Sequence, residues 1–171
     1  MEGTEVRKLT ELEDRHWWYK ERRALVARAL RGRRPGTALD VGAAGGGNTR
    51  VLQAAGWRAA ALEYGEEGAR VCAERGIPVL RGDATRLPLA GESLDLVVAY
   101  DVLEHIEDDA AAAKEVFELL RPGGVFLVAV PCDPALWSAH DEAVGGAQVR
   151  GDDRLRVPAR PPPHVLDGRV E

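Results

Sequence analysis

Aromatic residues are scarce, 5% of 171 residues, and the chain carries two cysteines, a single methionine and no long apolar run. A membrane-spanning helix needs roughly 18 or more consecutive apolar residues, and no segment approaches that length. The opening stretch, MEGTEVRKLTELEDRH, also lacks the apolar centre of a secretory leader, so the expectation is a soluble, cytoplasmic protein without a membrane partner. Cys72 and Cys132 lie far apart with no metal-ligand spacing, which argues against a disulfide framework, a metal centre or a catalytic thiol. Positive charge is in deficit as well. The net charge of −5 disfavours nucleic acid as a partner and leaves a small molecule as the natural one.

What is present is ordinary globular composition, 45% hydrophobic and 30% charged, enough for one domain with a proper core. Its organising stretch is LDVGAAGGGNT, Leu39 to Thr49. A short apolar run from Thr37 ends at Val41, passes through a glycine-rich turn and enters a helix-compatible segment, the strand-turn-helix opening of a nucleotide-binding α/β unit. Glycine permits the left-handed backbone of such a turn and lets backbone N–H groups approach a ligand. A second apolar run, Trp57 to Leu62, ends in Glu63, and an acid roughly 20 residues beyond the turn can accept hydrogen bonds from the ribose hydroxyls of an adenosine. Ala44 stands where a dinucleotide fingerprint needs its second glycine against the pyrophosphate, so an adenosine ligand without phosphates is favoured over NAD.

The remaining elements alternate as an α/β chain should. Lys8 to Arg31 reads as one helix, stopped by Gly32 and Pro35, and holds the cluster His16-Trp17-Trp18-Tyr19, suited to a core anchor or to the roof of a ligand pocket. Glu66 to Arg75 is a short helix, and Ile77 to Leu80 a third strand. Asp83 follows it, where a carboxylate can accept the exocyclic amine of adenine while the neighbouring backbone N–H of Ala84 donates to the ring. Ser93 to Tyr100 is a nearly continuous apolar strand leading into Asp101-Val102-Leu103-Glu104-His105, and ligands of open α/β sheets bind beyond the carboxyl ends of the strands. Asp108 to Leu120 reads as a helix with acids at its start, RPGG at 121–124 as its break, and Val125 to Val130 as a fifth strand.

These ordered motifs resemble the class I S-adenosyl-L-methionine (SAM)-dependent methyltransferases over roughly Leu9 to Gly145. LDVGAAGGGNT resembles their first motif, Glu63 the acid closing their second strand, GDATRLP their adenine-side loop, DVLEH their fourth-strand motif and RPGG their step into the fifth strand. The resemblance implies a Rossmann-like, doubly wound, mostly parallel sheet ordered 3-2-1-4-5, with SAM as cofactor and S-adenosyl-L-homocysteine as product. It places Asp40, Gly42, Ala44, Gly46 and Glu63 at the cofactor, followed by Tyr64, Asp83, Ala84 and Asp101, with Trp17 on an amino-terminal lid. His105 and His140, then His16, are the candidate bases for methyl transfer to a small-molecule acceptor.

The organisation expected is therefore a helical lid at 1–35, a SAM-binding core at 36–145 and an irregular, Arg- and Pro-rich tail at 146–171. A family member would continue with a helix and two more strands, so this end reads as truncated or frame-shifted, leaving the fifth strand as an apolar edge through which a homodimer could form. Two other functions compete with catalysis by this chain. One is a SAM-binding relic without turnover; the other, a nicotinamide-dependent reductase, is disfavoured by Ala44 and the DVLEH and RPGG blocks.

Overall fold

A computed structural model describes residues 3–130 and 164–167. The elements, in chain order, are α1 (Gly3–Leu12), α2 (Trp17–Ala29), β1 (Thr37–Val41), α3 (Gly47–Ala54), β2 (Arg58–Glu63), α4 (Glu66–Glu74), β3 (Val79–Arg81) and β4 (Leu94–Tyr100). A 3-10 turn at Leu103–His105, α5 (Asp109–Leu119), β5 (Leu120–Ala129) and β6 (His164–Asp167) complete the described chain. The strands form one sheet in the order β3-β2-β1-β4-β5-β6, every pairing parallel. The Rossmann-like order 3-2-1-4-5 expected from the sequence is present.

Both faces of the sheet are covered, which is why its central strands read as continuous apolar runs and not as alternating ones. Side chains on a strand alternate between faces. Leu39, Val41, Val97, Ala99, Phe126 and Val128 point to one side and pack with Leu103 and with Ala112, Val116 and Leu119 of α5. Ala38, Leu96, Val98, Val125 and Leu127 point to the other, against Val26 and Leu30 at the end of α2 and Leu52 of α3. The buried layers hold the carboxyl ends of β1, β2 and β4 side by side, with Val41 opposite Leu62 and Ala99. That juxtaposition creates the crevice.

Three expectations change. The single amino-terminal helix is two, because the chain turns at Glu13–His16. No Gly or Pro marks that turn. It is held by tertiary contacts: Arg23 donates to the Glu13 carbonyl at 2.6 Å, and the buried Glu13 carboxylate pairs with Arg50 at 3.0 Å and with Arg75. RPGG does not break the helix: α5 ends at Leu119, and RPGG lies inside β5, which begins at Leu120, with a register irregularity opposite Leu94–Leu96 and Gly123 at φ +81°.

The third correction concerns the fifth strand. It is not the edge of the sheet: β6 lies along it, Val125 opposite His164 and Val128 opposite Asp167, so part of the segment expected to be irregular joins the sheet. Four residues are too few to show a strand period in the sequence. The homodimer inferred from a bare β5 edge loses its premise, since that edge is already paired. Among the described residues no helix is long and apolar enough to cross a membrane.

Candidate cofactor site

The glycine turn is built on left-handed backbone. Gly42 (φ +65°), Ala44 (φ +49°) and Gly46 (φ +78°) all lie there. Gly42 needs glycine twice over: its backbone is left-handed, and a Cβ would stand 2.3 Å from Cγ2 of Val102, just past β4. At Gly46 a Cβ would meet Cδ1 of Ile77 at 2.2 Å. Ala44 alone carries a side chain in this conformation, which costs an L-residue about 1–2 kcal/mol. Ala44→Gly is therefore expected to stabilise the protein by up to about 1 kcal/mol, after the unfolded-state entropy of glycine is deducted. Thermal unfolding should show a rise of a few degrees; a fall would mean that the Cβ of Ala44 contributes packing that outweighs the strain.

Glu63, the last residue of β2, points back at this turn and accepts the N–H of Ala44. Burial pushes its carboxyl up to about 7 in spite of that hydrogen bond, and the nearby Asp40 carboxylate pushes in the same direction. Asp40 itself is 1% exposed and accepts a 2.6 Å hydrogen bond from the hydroxyl of Thr49, fixing the first turn of α3 to β1. Burial raises its pKa to about 7 as well. The carboxylate of Asp40 thus faces the interior while that of Glu63 lines the turn. Tyr64, next in the chain, is 78% exposed.

On the far side of the crevice Asp83 is exposed and accepts from the Thr85 N–H (2.8 Å) and hydroxyl (2.7 Å), which hold its carboxyl below the usual range. Ala84 turns its side chain into the core at 8% exposure. Past β4, Asp101 has a left-handed backbone (φ +54°) and pairs at 2.6 Å with Arg22 of α2. A non-glycine residue held there signals a site whose surroundings over-determine it. His105 sits at the end of the 3-10 turn, exposed. His16 precedes α2 and stacks on Trp17, with ring centroids 6.0 Å apart, while Trp17 is 66% exposed. His140 lies outside the described residues.

Two groups emerge that the sequence did not single out. Arg22 is 8% exposed, lies under Trp18 with its guanidinium carbon 4.3 Å from the ring centroid, and has a buried Nε–H without a hydrogen-bond partner among the described residues. Glu13 is the other: its buried carboxylate, with Arg75 donating to the Gly45 carbonyl at 2.7 Å, ties α1 to the glycine turn. Neither was legible, because the ion pairs that give each its place, Arg22 with Asp101 and Glu13 with Arg50 and Arg75, join residues far apart in the chain.

The arrangement suits SAM. Glu63 and Asp83 offer acceptors for ribose hydroxyls and an adenine amine. Comparison with known proteins agrees. The family described as "Methyltransferase domain" matches residues 39–128, just over half of the chain. A probable S-adenosylmethionine-dependent methyltransferase of Mycolicibacterium smegmatis is 30% identical over 132 residues, covering 75% of this chain and 51% of the relative. The ubiquinone biosynthesis O-methyltransferase of a Methylobacterium species is 35% identical over 99 residues, 54% of this chain and 40% of that one. Among solved structures, Streptomyces venezuelae DesVI superposes with a TM-score of 0.65 at 22% identity, over 81% of this chain and 61% of that one, a likeness of fold. The chain spans about half the length of the relatives it matches in sequence. It belongs to the class I SAM-dependent methyltransferase family.

Proposed function

We propose that this protein transfers a methyl group from SAM to a small-molecule acceptor. The observation that carries the reading is the Glu63 carboxylate, held at the glycine turn where the carboxyl ends of β1, β2 and β4 converge. When bound, SAM supplies an electrophilic methyl on its sulfonium. The protein's work is then to hold the cofactor and to align an acceptor nucleophile at roughly 3–3.5 Å from that methyl, which can supply most of the acceleration. Glu63 accepts from the ribose hydroxyls, Asp83 from the adenine amine, and exposed Tyr64 is free to lie against the base. Arg22, its guanidinium fixed by Asp101 and Trp18, would supply the positive charge for the cofactor carboxylate. His105 is the candidate to take the proton that an acidic acceptor loses, a contribution of about 10²–10⁴-fold. The relative named for ubiquinone biosynthesis supports a ring-bearing, quinol-like acceptor.

Release of S-adenosyl-L-homocysteine from SAM in the presence of hydroxylated quinols tests the reaction; turnover with at least one supports it, and tight SAM binding with no acceptor turned over contradicts it. Arg22→Met should weaken SAM binding about ten-fold or more, since a hydrogen bond to a charged group contributes about 1.5–3 kcal/mol. Binding of 5′-methylthioadenosine, which lacks the amino-acid part, should stay unchanged. Equal losses for both ligands would remove Arg22 from the carboxylate.

A further inference from the structure

Glycine is the poorest helix former after proline, yet Gly68 is buried in the first turn of α4. Its backbone does not need glycine, because it lies in ordinary helical conformation and not at positive φ. Space does. A Cβ at Gly68 would stand 2.3 Å from Oε2 of Glu63, 2.8 Å from its Cδ and 3.2 Å from its Cγ. At nearby Gly65 a Cβ would meet nothing within 4 Å among the described residues, so the crowding belongs to this position and not to the β2–α4 connection at large.

The other carboxylate oxygen, Oε1, accepts the Ala44 N–H. The Glu63 head group is therefore seated between the glycine turn on one side and the bare Cα of Gly68 on the other. The three atoms nearest to a Gly68 side chain all belong to the side chain of one glutamate, so the helix can accept the substitution while the carboxylate must leave its seat.

We propose that Gly68 is a positioning residue for cofactor recognition: the absence of a side chain there makes the seat from which Glu63 reads the ribose hydroxyls. The proposal rests on the reading of Glu63 as the ribose acceptor, and two measurements separate the two ideas. The first needs no ligand. In a Glu63→Ala background, adding Gly68→Ala should raise the thermal midpoint by about 2–4 °C, as the better helix former does when nothing obstructs it. With Glu63 present the same substitution should give no such gain. Equal gains in both backgrounds would overturn the seat.

The second titrates S-adenosyl-L-homocysteine and its 2′,3′-dideoxy analogue. Wild-type protein should prefer the hydroxylated ligand about ten-fold or more, the effect of a charge-assisted hydrogen bond. Gly68→Ala should lose that preference while binding the dideoxy analogue as the wild type does, a selective change that general damage to α4 would not produce. Retention of the full preference in Gly68→Ala overturns the proposal. Absence of the preference in the wild type would instead remove the ribose from Glu63, leaving the thermal cycle to decide whether Gly68 seats the carboxylate.

Discussion

Glu63→Ala is expected to weaken SAM and S-adenosyl-L-homocysteine binding about ten-fold or more, because two ribose hydroxyls lose a charged acceptor worth about 1.5–3 kcal/mol per hydrogen bond. The effect should depend on pH in a definite direction. Burial lifts the Glu63 carboxyl to about 7, so its ionised form, the better acceptor, accumulates as pH rises from 6 to 8. Wild-type affinity should climb over that interval and the Glu63→Ala curve should stay flat. Stability moves the other way. Asp40 and Glu63 both titrate higher folded than unfolded, so their contribution is full below about pH 4 and is lost as pH rises through about 7. Calorimetric titrations at several pH values, beside thermal melts in the same buffers, measure the two trends. Unchanged affinity in Glu63→Ala would mean that the ribose lies elsewhere.

Gly42→Val should abolish cofactor binding and also cost stability. A β-branched residue at φ +65° carries about 1–2 kcal/mol of backbone strain, and its Cβ would overlap Val102, an overpacking of about 1–3 kcal/mol more. The sequence alone suggests a folded sheet with only the ligand's approach blocked. The structure places the same side chain against Val102 of the DVLEH block, so the substitution presses the glycine turn and the segment after β4 apart. Urea denaturation should show a lowered midpoint together with lost titration heat. Normal stability and normal binding in Gly42→Val would reduce the opening stretch to a tolerant turn.

Much of this architecture was legible because it is written in short-range terms. Glycines 42 and 46 announce left-handed backbone, the β1 and β4 runs announce strands buried on both faces, and Glu63 follows its turn at a spacing set by one βαβ unit. Ala44 was marked as a departure from the glycine expected there, and the structure shows why it matters: the backbone keeps the left-handed conformation anyway. What was not legible depends on residues distant in sequence. The break between α1 and α2 is made by Arg23, Arg50 and Arg75 converging on Glu13, with no breaker residue to signal it. Arg22 is one of several charged residues on α2, and only the fold brings it to Asp101. Gly68 was likewise invisible, since its meaning lies in an atom of a neighbouring strand. The β6 strand was missed because four residues carry too little pattern to outweigh the prolines before them.

Calorimetric titration of the unmodified protein with S-adenosyl-L-homocysteine and, separately, NAD tests the central claim most directly. Glu63 at the glycine turn predicts saturable one-to-one binding of S-adenosyl-L-homocysteine and no saturable heat from NAD, whose pyrophosphate would meet the Cβ of Ala44. Saturable binding of NAD, or none of S-adenosyl-L-homocysteine, would contradict it.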